Sequence, residues 1–259
     1  MIPNEMKPPL EGAFETPQTK HRYVRRLFAT IADRYDFITR FLSFGRDAAW
    51  KVRLVDLAGV QPGWRALDLA CGTGDIAFEV AKRGGAVLGL DITHRMIELA
   101  RRKSHPADRT AWAVADMLAL PVPDASFDLV TTGYGLRNVP DLEVALAEIR
   151  RALRPGGLVC ALDFDRPETA WIRSIYLAYL TAVGSALGWV LHRDPDTYRY
   201  IPASIRRYPG SRGVADLMRA AGFTDVQHFK VLGGLMAIHT ARAADVRTST
   251  FELRSSRRL

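Results

Sequence analysis

Cysteine is scarce in this chain, which has only Cys71 and Cys160 among its 259 residues. Two thiols are too few for a disulfide scaffold, and no residues have the spacing of a zinc site, so we expect no metal and a reducing compartment. A secretory signal is also lacking, because residues 1–19 contain four prolines and no apolar run. The sequence therefore predicts a cytoplasmic protein with a flexible arm over residues 1–19.

Acidic residues are outnumbered by basic ones. Lys and Arg total 36 and Asp and Glu total 28, which gives a formal net charge of +8. This balance attracts nucleic acid, anionic lipid or phosphorylated substrates, although a basic surface also serves solubility alone. Because the sequence contains no nucleic-acid-binding module, we expect no nucleic-acid partner.

From residue 65 onward, short apolar segments alternate with segments of helical periodicity. Predicted strands cover residues 65–70, 86–91, 111–115, 127–133, 158–164, 226–232 and 235–241. Predicted helices cover residues 75–82, 94–103, 141–153 and 214–221. The alternation indicates a parallel sheet with helices on both faces, and the link at Gly233-Gly234 is too short for a parallel crossover. The sequence thus predicts an α/β fold with a mostly parallel, seven-stranded sheet and a C-terminal antiparallel hairpin.

Other segments precede, interrupt and follow this pattern. Helical periodicity predicts an N-terminal helical cap (20–58) on a single domain spanning residues 20–241. Residues 165–209 predict a helical insert, whose centre from Ser174 to Leu191 has no charged residue in 18 positions. This centre is shorter and more polar than a membrane span of about 20 apolar residues, so we expect a helix buried in the protein or touching lipid. Residues 242–259 form a basic tail with five arginines and two acids.

A glycine turn follows the first predicted strand, which ends near Asp68. Gly72 and Gly74 allow a tight turn and a close approach of the backbone to a ligand. The third glycine of the dinucleotide fingerprint is missing, and Asp75 at the start of the helix would repel a phosphate. These features argue against NAD.

Two further acids follow the next two strands. Asp91 lies 23 residues after Asp68, where a carboxylate accepts both ribose hydroxyls of an adenosine, and the alternative is a cap for the helix at His94. Asp116 is placed to accept the adenine amino group, with Met117 against the ring, unless it serves only the turn. An acidic site suits a nucleoside without phosphate and an electropositive sulfonium.

Further motifs identify a family. Residues 133–139 read Gly-Tyr-Gly-Leu-Arg-Asn-Val, residues 196–205 read Asp-Thr-Tyr-Arg-Tyr-Ile-Pro-Ala-Ser-Ile, and Tyr-Asp-Phe and Trp-Lys stand at 35–37 and 50–51. With the glycine turn, they make residues 22–241 resemble the ubiquinone/menaquinone biosynthesis C-methyltransferases, the UbiE family of class I methyltransferases. The resemblance implies methyl transfer from S-adenosyl-L-methionine (SAM) to a ring carbon of a polyprenylated quinol, either demethylmenaquinol or 2-polyprenyl-6-methoxy-1,4-benzoquinol or both.

The glycine turn and the resemblance together give a set of residues for the SAM site. The predicted cofactor-binding residues are Asp68, Gly72, Thr73, Gly74, Asp91, Ile92, Asp116, Met117 and Gly133. The chain departs from the family in having Cys71 where Gly is frequent and Gly133 where Ser is frequent. Both departures bear on substrate preference more than on the reaction.

Carbon methylation needs an electron-rich ring carbon, and a quinol becomes more nucleophilic as its phenolate. Because a phenol has a pKa of about 10, the protein must stabilise the oxyanion or supply a base. From the resemblance we expect Arg137 to stabilise the phenolate and Asn138 to orient the quinol. Tyr198, Arg199 and Tyr200 are expected to close the insert over the ring.

Each assignment has an alternative. Arg137 would form a surface ion pair with Asp141, and the tyrosines would serve packing alone. At the level of function, the alternatives are a methyltransferase of another lipid or small metabolite and a SAM-binding protein without catalysis. A homo-oligomer is left open by the sequence.

The expected substrate also predicts a membrane partner. A polyprenyl tail leaves the bilayer at a cost of about 0.8 kcal/mol per CH₂, so the enzyme is expected to go to the lipid. The uncharged insert helix suits the interface, and basic residues suit anionic lipid; these are Lys20, Arg22, Arg25, Arg26 and the arginines of the tail. We therefore expect peripheral association with an anionic membrane.

Overall fold

A computed structural model describes residues 10–244 and has a seven-stranded sheet at its centre, in the order β3-β2-β1-β4-β5-β7-β6. The strands are β1 (Arg65–Leu69), β2 (Ala86–Asp91), β3 (Thr110–Val114), β4 (Phe127–Gly133), β5 (Leu153–Phe164), β6 (Phe223–Val231) and β7 (Met236–Ala243). Strands β1 to β5 run parallel, whereas β7 is antiparallel to both β5 and β6. The predicted fold class is confirmed, with strand ends shifted by a few residues.

Helices cover both faces of the sheet. They are α1 (Pro17–Ile31), α2 (Tyr35–Leu42), α3 (Asp47–Ala58), α4 (Asp75–Lys82), α5 (His94–Lys103), α6 (Leu142–Ala152), α7 (Ala170–His192), α8 (Asp196–Arg207) and α9 (Gly210–Ala220). Successive strand residues point to opposite faces, so Leu67 joins the core cluster that contains Leu146 of α6, and Ala66 joins the cluster that contains Leu54 of α3. Burial on both faces explains why the strands read as apolar runs rather than as alternating patterns.

The predicted loose arm is wrong for its described part, residues 10–19. Ala13 is buried, and the ring of Phe14 stacks on that of Tyr200 with centroids 5.6 Å apart. Pro17 occupies the first turn of α1, where its missing N–H costs nothing, and Thr16 forms a capping box with Thr19. Residues 1–9 of the predicted arm and residues 245–259 of the predicted tail lie outside the described residues.

The predicted helical insert is a hairpin of α7 and α8. Glycines on one side of α7 let the two helices approach closely, because a Cβ atom at Gly184 would lie 3.1 Å from the carbonyl oxygen of Tyr198. Helix α7 is long and apolar enough to span a membrane by length and composition. Its glycine side packs on α8, whereas Trp171, Ile175 and Tyr179 on another side are exposed.

Candidate active site

The predicted cofactor residues gather where parallel strands end. Two adjoining cavities lie at this edge of the sheet, and Gly133 at the end of β4 lines both. The first cavity is lined by the predicted residues Gly72, Asp91, Ile92, Asp116 and Met117. The second is lined by Asp68 and Thr73. Ligands in open α/β sheets bind at this edge, so the placement agrees with a cofactor site.

Asp91 holds the glycine turn in place while it lines the first cavity. Its Oδ2 accepts a hydrogen bond from the backbone N–H of Gly72 at 2.9 Å, and its Oδ1 accepts one from Thr93 at 2.8 Å. Burial raises the pKa of this carboxyl, and the two backbone donors oppose the shift. Each carboxylate oxygen keeps acceptor capacity for a ribose hydroxyl, which fits the predicted role.

Asp116 reaches the same cavity from the turn after β3. Its Oδ1 accepts a hydrogen bond from the backbone N–H of Leu118 at 2.9 Å, so the alternative role in the turn is present as well. Its Oδ2 lies 2.8 Å from Nε2 of His21 in α1. The sequence did not reveal His21 as a site residue, because nothing local links it to a turn so far along the chain.

Asp68 is the strongest sign of a cationic ligand in the second cavity. The side chain is fully buried, and its Oδ1 accepts a hydrogen bond from the Thr131 hydroxyl at 2.7 Å. Its Oδ2 has no partner at hydrogen-bond geometry within residues 10–244, and burial raises the pKa of the carboxyl to about 7, although Thr131 and the nearby backbone N–H of Ala77 oppose the shift. An orphaned carboxylate oxygen beside a glycine turn fits the ammonium group of SAM.

The predicted glycines have steric reasons of their own. Gly74 has φ +92°, and a Cβ atom there would meet the ring of Trp112 at 2.5 Å. Gly74 therefore allows close packing at the start of α4, and its contact with the cofactor stays a prediction. Packing also requires glycine at position 133, since a Cβ atom at Gly133 would lie 2.7 Å from Cδ1 of Ile76.

A buried ion network that the sequence did not predict forms one wall of the second cavity. Lys51 of α3 pairs with Asp47, and its Nζ lies 2.9 Å from Oδ2 of Asp75. Tyr134 donates a hydrogen bond to Asp47 at 2.6 Å. In the sequence, the Trp-Lys motif at 50–51 was the signal that could have pointed to this ion network. The partners of Lys51 follow only from the packing of α3 against α4 and the end of β4.

A larger cavity of about 480 Å³ lies between helices α1 and α2 on one side and α7 and α8 on the other. We call it the apolar chamber, because most of its lining is aliphatic or aromatic. Tyr35 and Tyr134 both line the chamber and the two cofactor cavities. The three spaces therefore meet at these two side chains.

Arg137 stands in the wall of the apolar chamber and is only 5% exposed. Asp163 at the end of β5 accepts hydrogen bonds from its backbone N–H at 3.0 Å and from its Nε at 3.3 Å, and the hydroxyl of Ser204 accepts one from Nη1. The guanidinium lies 5.1 Å from the ring centroid of Phe164. The alternative surface pair with Asp141 is wrong, because Asp141 instead caps α6.

The structure separates the other predicted catalytic residues. Tyr198 lines the chamber and its hydroxyl lies 2.9 Å from Nε2 of His192. Asn138 lines the first cofactor cavity, which adjoins the chamber, and its predicted contact with the quinol stays a prediction. Arg199 is corrected: it is exposed and pairs with Asp196 at 3.2 Å, since the phase of α8 turns it away from the chamber.

Known proteins are similar to this chain in sequence and in fold. A demethylmenaquinone methyltransferase of Thermus thermophilus is 40% identical over 216 residues, covering 82% of this chain and 98% of that protein. A ubiquinone/menaquinone biosynthesis C-methyltransferase UbiE of Serratia proteamaculans is 37% identical over 227 residues, covering 85% and 90%. A solved SAM-dependent methyltransferase of Thermotoga maritima, described as a possible histamine N-methyltransferase, has the same fold with a TM-score of 0.61 at 22% identity, covering 85% and 99%.

The family itself follows from a match over most of the chain. The model of the ubiE/COQ5 methyltransferase family matches residues 16–243, which is nearly the whole of the described part. This range includes the glycine turn, the Arg137 segment and the α7–α8 insert that frame the three spaces. Because the match is this extensive and both relatives agree with it nearly end to end, the chain belongs to the ubiE/COQ5 methyltransferase family.

Proposed function

We propose that this protein uses SAM to methylate a ring carbon of a polyprenylated quinol in respiratory quinone biosynthesis. The substrate is demethylmenaquinol, 2-polyprenyl-6-methoxy-1,4-benzoquinol, or both. The observation that carries the proposal is the position of Arg137, a buried cation in the wall of an apolar chamber that meets the SAM cavities at Tyr35. A fixed positive charge in an apolar space suits a lipid substrate that develops negative charge as it reacts.

When bound, SAM supplies an electrophilic methyl group on a sulfonium sulfur. The quinol hydroxyl gives its proton to water, and Arg137 stabilises the resulting phenolate. Asp68 and Asp91 would hold SAM, which would supply its methyl group to the electron-rich ring carbon; the electron pair of the S–C bond would stay on sulfur and the ring proton would go to water. Asp163 and Ser204 keep the guanidinium oriented, so no reorganisation is needed as charge develops.

The direct test is methyl transfer to a reduced quinol. We expect the purified full-length protein to convert demethylmenaquinol and labelled SAM into a product with the label on a ring carbon, measured by mass spectrometry. The oxidised quinone is the matched control and should not react, because it has no phenolate to donate electrons. Binding of SAM without methylation of either quinol would overturn the proposal and favour another acceptor or a non-catalytic protein.

We also propose that the protein associates peripherally with the cytoplasmic face of an anionic membrane. Exposed side chains line the chamber at Phe44, Trp171, Ile175 and Tyr179, and Phe37 and Phe41 are exposed on helix α2, which also contributes to the chamber; we call these six residues the rim. Phe44 and Tyr179 stack with centroids 6.3 Å apart, and both also line the chamber. The rim would let a prenyl tail pass from lipid into the chamber without crossing water.

The charges beside the rim agree only in part with the sequence prediction. Arg40 and Arg46 are exposed next to the rim phenylalanines and suit anionic headgroups. Lys20 was expected at the lipid, but its Nζ donates a hydrogen bond to the backbone carbonyl of Arg137 at 3.2 Å. Burial lowers the pKa of Lys20 to about 8, and its predicted contact with lipid is corrected.

Vesicle flotation tests whether the protein docks on lipid through the rim. We expect the protein to float with phosphatidylglycerol-containing vesicles at low salt and to stay behind with phosphatidylcholine alone or at high salt. Trp171→Ser should lower the floated fraction several-fold. Trp189→Ser is the matched control, because Trp189 is 60% exposed on the same helix but does not line the chamber, whereas Trp171 is 66% exposed and does. Equal losses for both variants would contradict docking through the rim.

A further inference from the structure

One buried hydroxyl in the apolar chamber lacks a protein partner. Tyr200 is 1% exposed and lines the chamber, and no residue in the described range 10–244 forms a hydrogen bond with its hydroxyl group. A buried polar group without a partner is unfavourable, and such groups are rare in folded proteins. An orphaned hydroxyl on a residue that lines a cavity therefore points to a ligand that completes its hydrogen bonding.

The ring of Tyr200 is held firmly in place. Tyr23 of α1 stacks against it with centroids 5.4 Å apart, and Phe14 stacks at 5.6 Å. Two aromatic contacts leave the ring little freedom to turn, so the hydroxyl has a fixed position before any ligand binds. Fixed donors are the ones that stabilise a developing charge most effectively.

Tyr200 and Arg137 belong to one arrangement. The guanidinium carbon of Arg137 lies 5.9 Å from the ring centroid of Tyr200. Ser204, one turn further along α8, accepts a hydrogen bond from Nη1 of Arg137 and donates one to the carbonyl of Tyr200 at 2.8 Å. Helix α8 thus orients the guanidinium through Ser204 and places Tyr200 beside it. This arrangement explains the position of Tyr200 in the Tyr-Arg-Tyr motif.

The surroundings keep the Tyr200 hydroxyl protonated. Burial raises the pKa of Tyr200 well above its ordinary value. Two charged groups also act on it: Arg137 lowers the pKa, and Asp163 at the end of β5 raises it. From α1, the facing titratable group is the phenol of Tyr23, whose pKa burial also raises. Tyr200 therefore remains a hydrogen-bond donor in the pH range where a quinol ionises.

We propose that the hydroxyl of Tyr200 donates a hydrogen bond to the quinol oxygen that faces Arg137, so that two donors share the phenolate. This inference rests on the proposed function, because it takes the occupant of the chamber to be a phenol. It makes Tyr200 a catalytic residue, whereas Asp163 and Ser204 are positioning residues that act through Arg137.

A matched control exists in the same chain. The hydroxyl of Tyr208 is also buried and also lacks a partner among the described residues. Tyr208 belongs to the core cluster under the sheet and does not line the chamber. Replacing either tyrosine with phenylalanine removes one orphaned hydroxyl and leaves the ring, so the two variants differ in whether the altered residue lines the chamber.

The first readout is quinol methylation by the full-length Tyr200→Phe and Tyr208→Phe proteins. We expect Tyr200→Phe to lower kcat about 100-fold, as for the loss of one oxyanion donor, with unchanged SAM affinity and no loss of thermal stability. The acid limb of its pH–rate profile should move to higher pH, because the bound phenol loses a group that favours its ionised form. Tyr208→Phe should behave as the parent does. Equal rates and pH profiles for both variants would overturn the assignment.

A second readout does not depend on methyl transfer. An alkylated 4-nitrophenol serves as the probe, since its absorbance reports whether the bound phenol is ionised. We expect the bound probe to have a lower pKa in the parent protein and in Tyr208→Phe than in Tyr200→Phe. The same bound pKa in all three proteins would overturn the role of Tyr200. If the pKa shifts as expected but no quinol is methylated, Tyr200 still binds a phenolate and the proposed substrate is wrong.

Discussion

Arg137→Ala is expected to lower the rate of quinol methylation about 100- to 1000-fold while SAM affinity stays nearly unchanged, because one oxyanion-stabilising donor is lost. Arg137→Lys should recover only part of the rate, since an ammonium lacks the planar fork that reaches both Asp163 and Ser204. Steady-state rates with reduced quinol and calorimetry with SAM check both expectations. A parent-like rate in the alanine variant would mean that Arg137 is structural.

The same variant should also lose stability, which calls for a control. Removing Arg137 leaves Asp163 as an uncompensated buried charge, a change that typically costs about 3–5 kcal/mol. Burial already raises the pKa of Asp163, and Arg137 opposes the shift. Without Arg137 the folded state holds the proton of Asp163 more tightly than the unfolded state, so stability should fall as pH rises above the unfolded pKa of about 4. The double variant Arg137→Ala, Asp163→Asn should regain stability but not activity.

Asp68→Asn is expected to weaken SAM binding about 10- to 100-fold, the usual range for losing a hydrogen bond to a charged group. The reason is the buried Oδ2 of Asp68, which has no partner in the described part of the chain and lines the second cofactor cavity. Calorimetry at pH 8, where the carboxyl is ionised, measures the change. Equal affinity for both proteins would remove Asp68 from the cofactor site.

The pH dependence of stability gives a second measure of Asp68. Its pKa is raised to about 7 in the folded protein, so between the unfolded value of about 4 and pH 7 the folded state retains a proton that the unfolded state releases. The contribution of Asp68 to stability is therefore present below pH 4 and lost as pH rises through 7. Without SAM, Asp68→Asn should melt at a higher temperature than the parent at pH 8, and this advantage should shrink at pH 5.

Local patterns predicted which acidic residues gather at one edge of the sheet. Asp91 ends β2 and Asp116 lies just after β3, and parallel strands end at one edge of a sheet. The prediction for Arg199 is wrong for a different reason. Arg199 has the right chemistry beside Tyr200, but the side that it faces depends on how helix α8 packs, and no local pattern fixes that phase.

Contacts between distant segments could not be predicted from the sequence. Lys51 and Asp75 form one wall of the second cavity, although they belong to different helices. Phe14 is ordered because it stacks on Tyr200 near the other end of the chain, and a proline-rich stretch gives no sign of such a partner. The burial of Arg137 likewise depends on residues from β5 and α8. The sequence around Arg137, taken alone, is therefore also compatible with a position on the surface.

The meeting of three spaces at Tyr35 and Tyr134 also bears on how two different ligands enter the protein. The first cofactor cavity lies near the half-exposed side chains of His21 and Asp116, whereas the chamber opens at the exposed Phe44 and Trp171. If the proposed function holds, a water-soluble cofactor and a lipid substrate would enter and leave through separate openings. The cofactor could then be exchanged while the lipid stays bound, and the two tyrosine rings mark the place where the two routes meet.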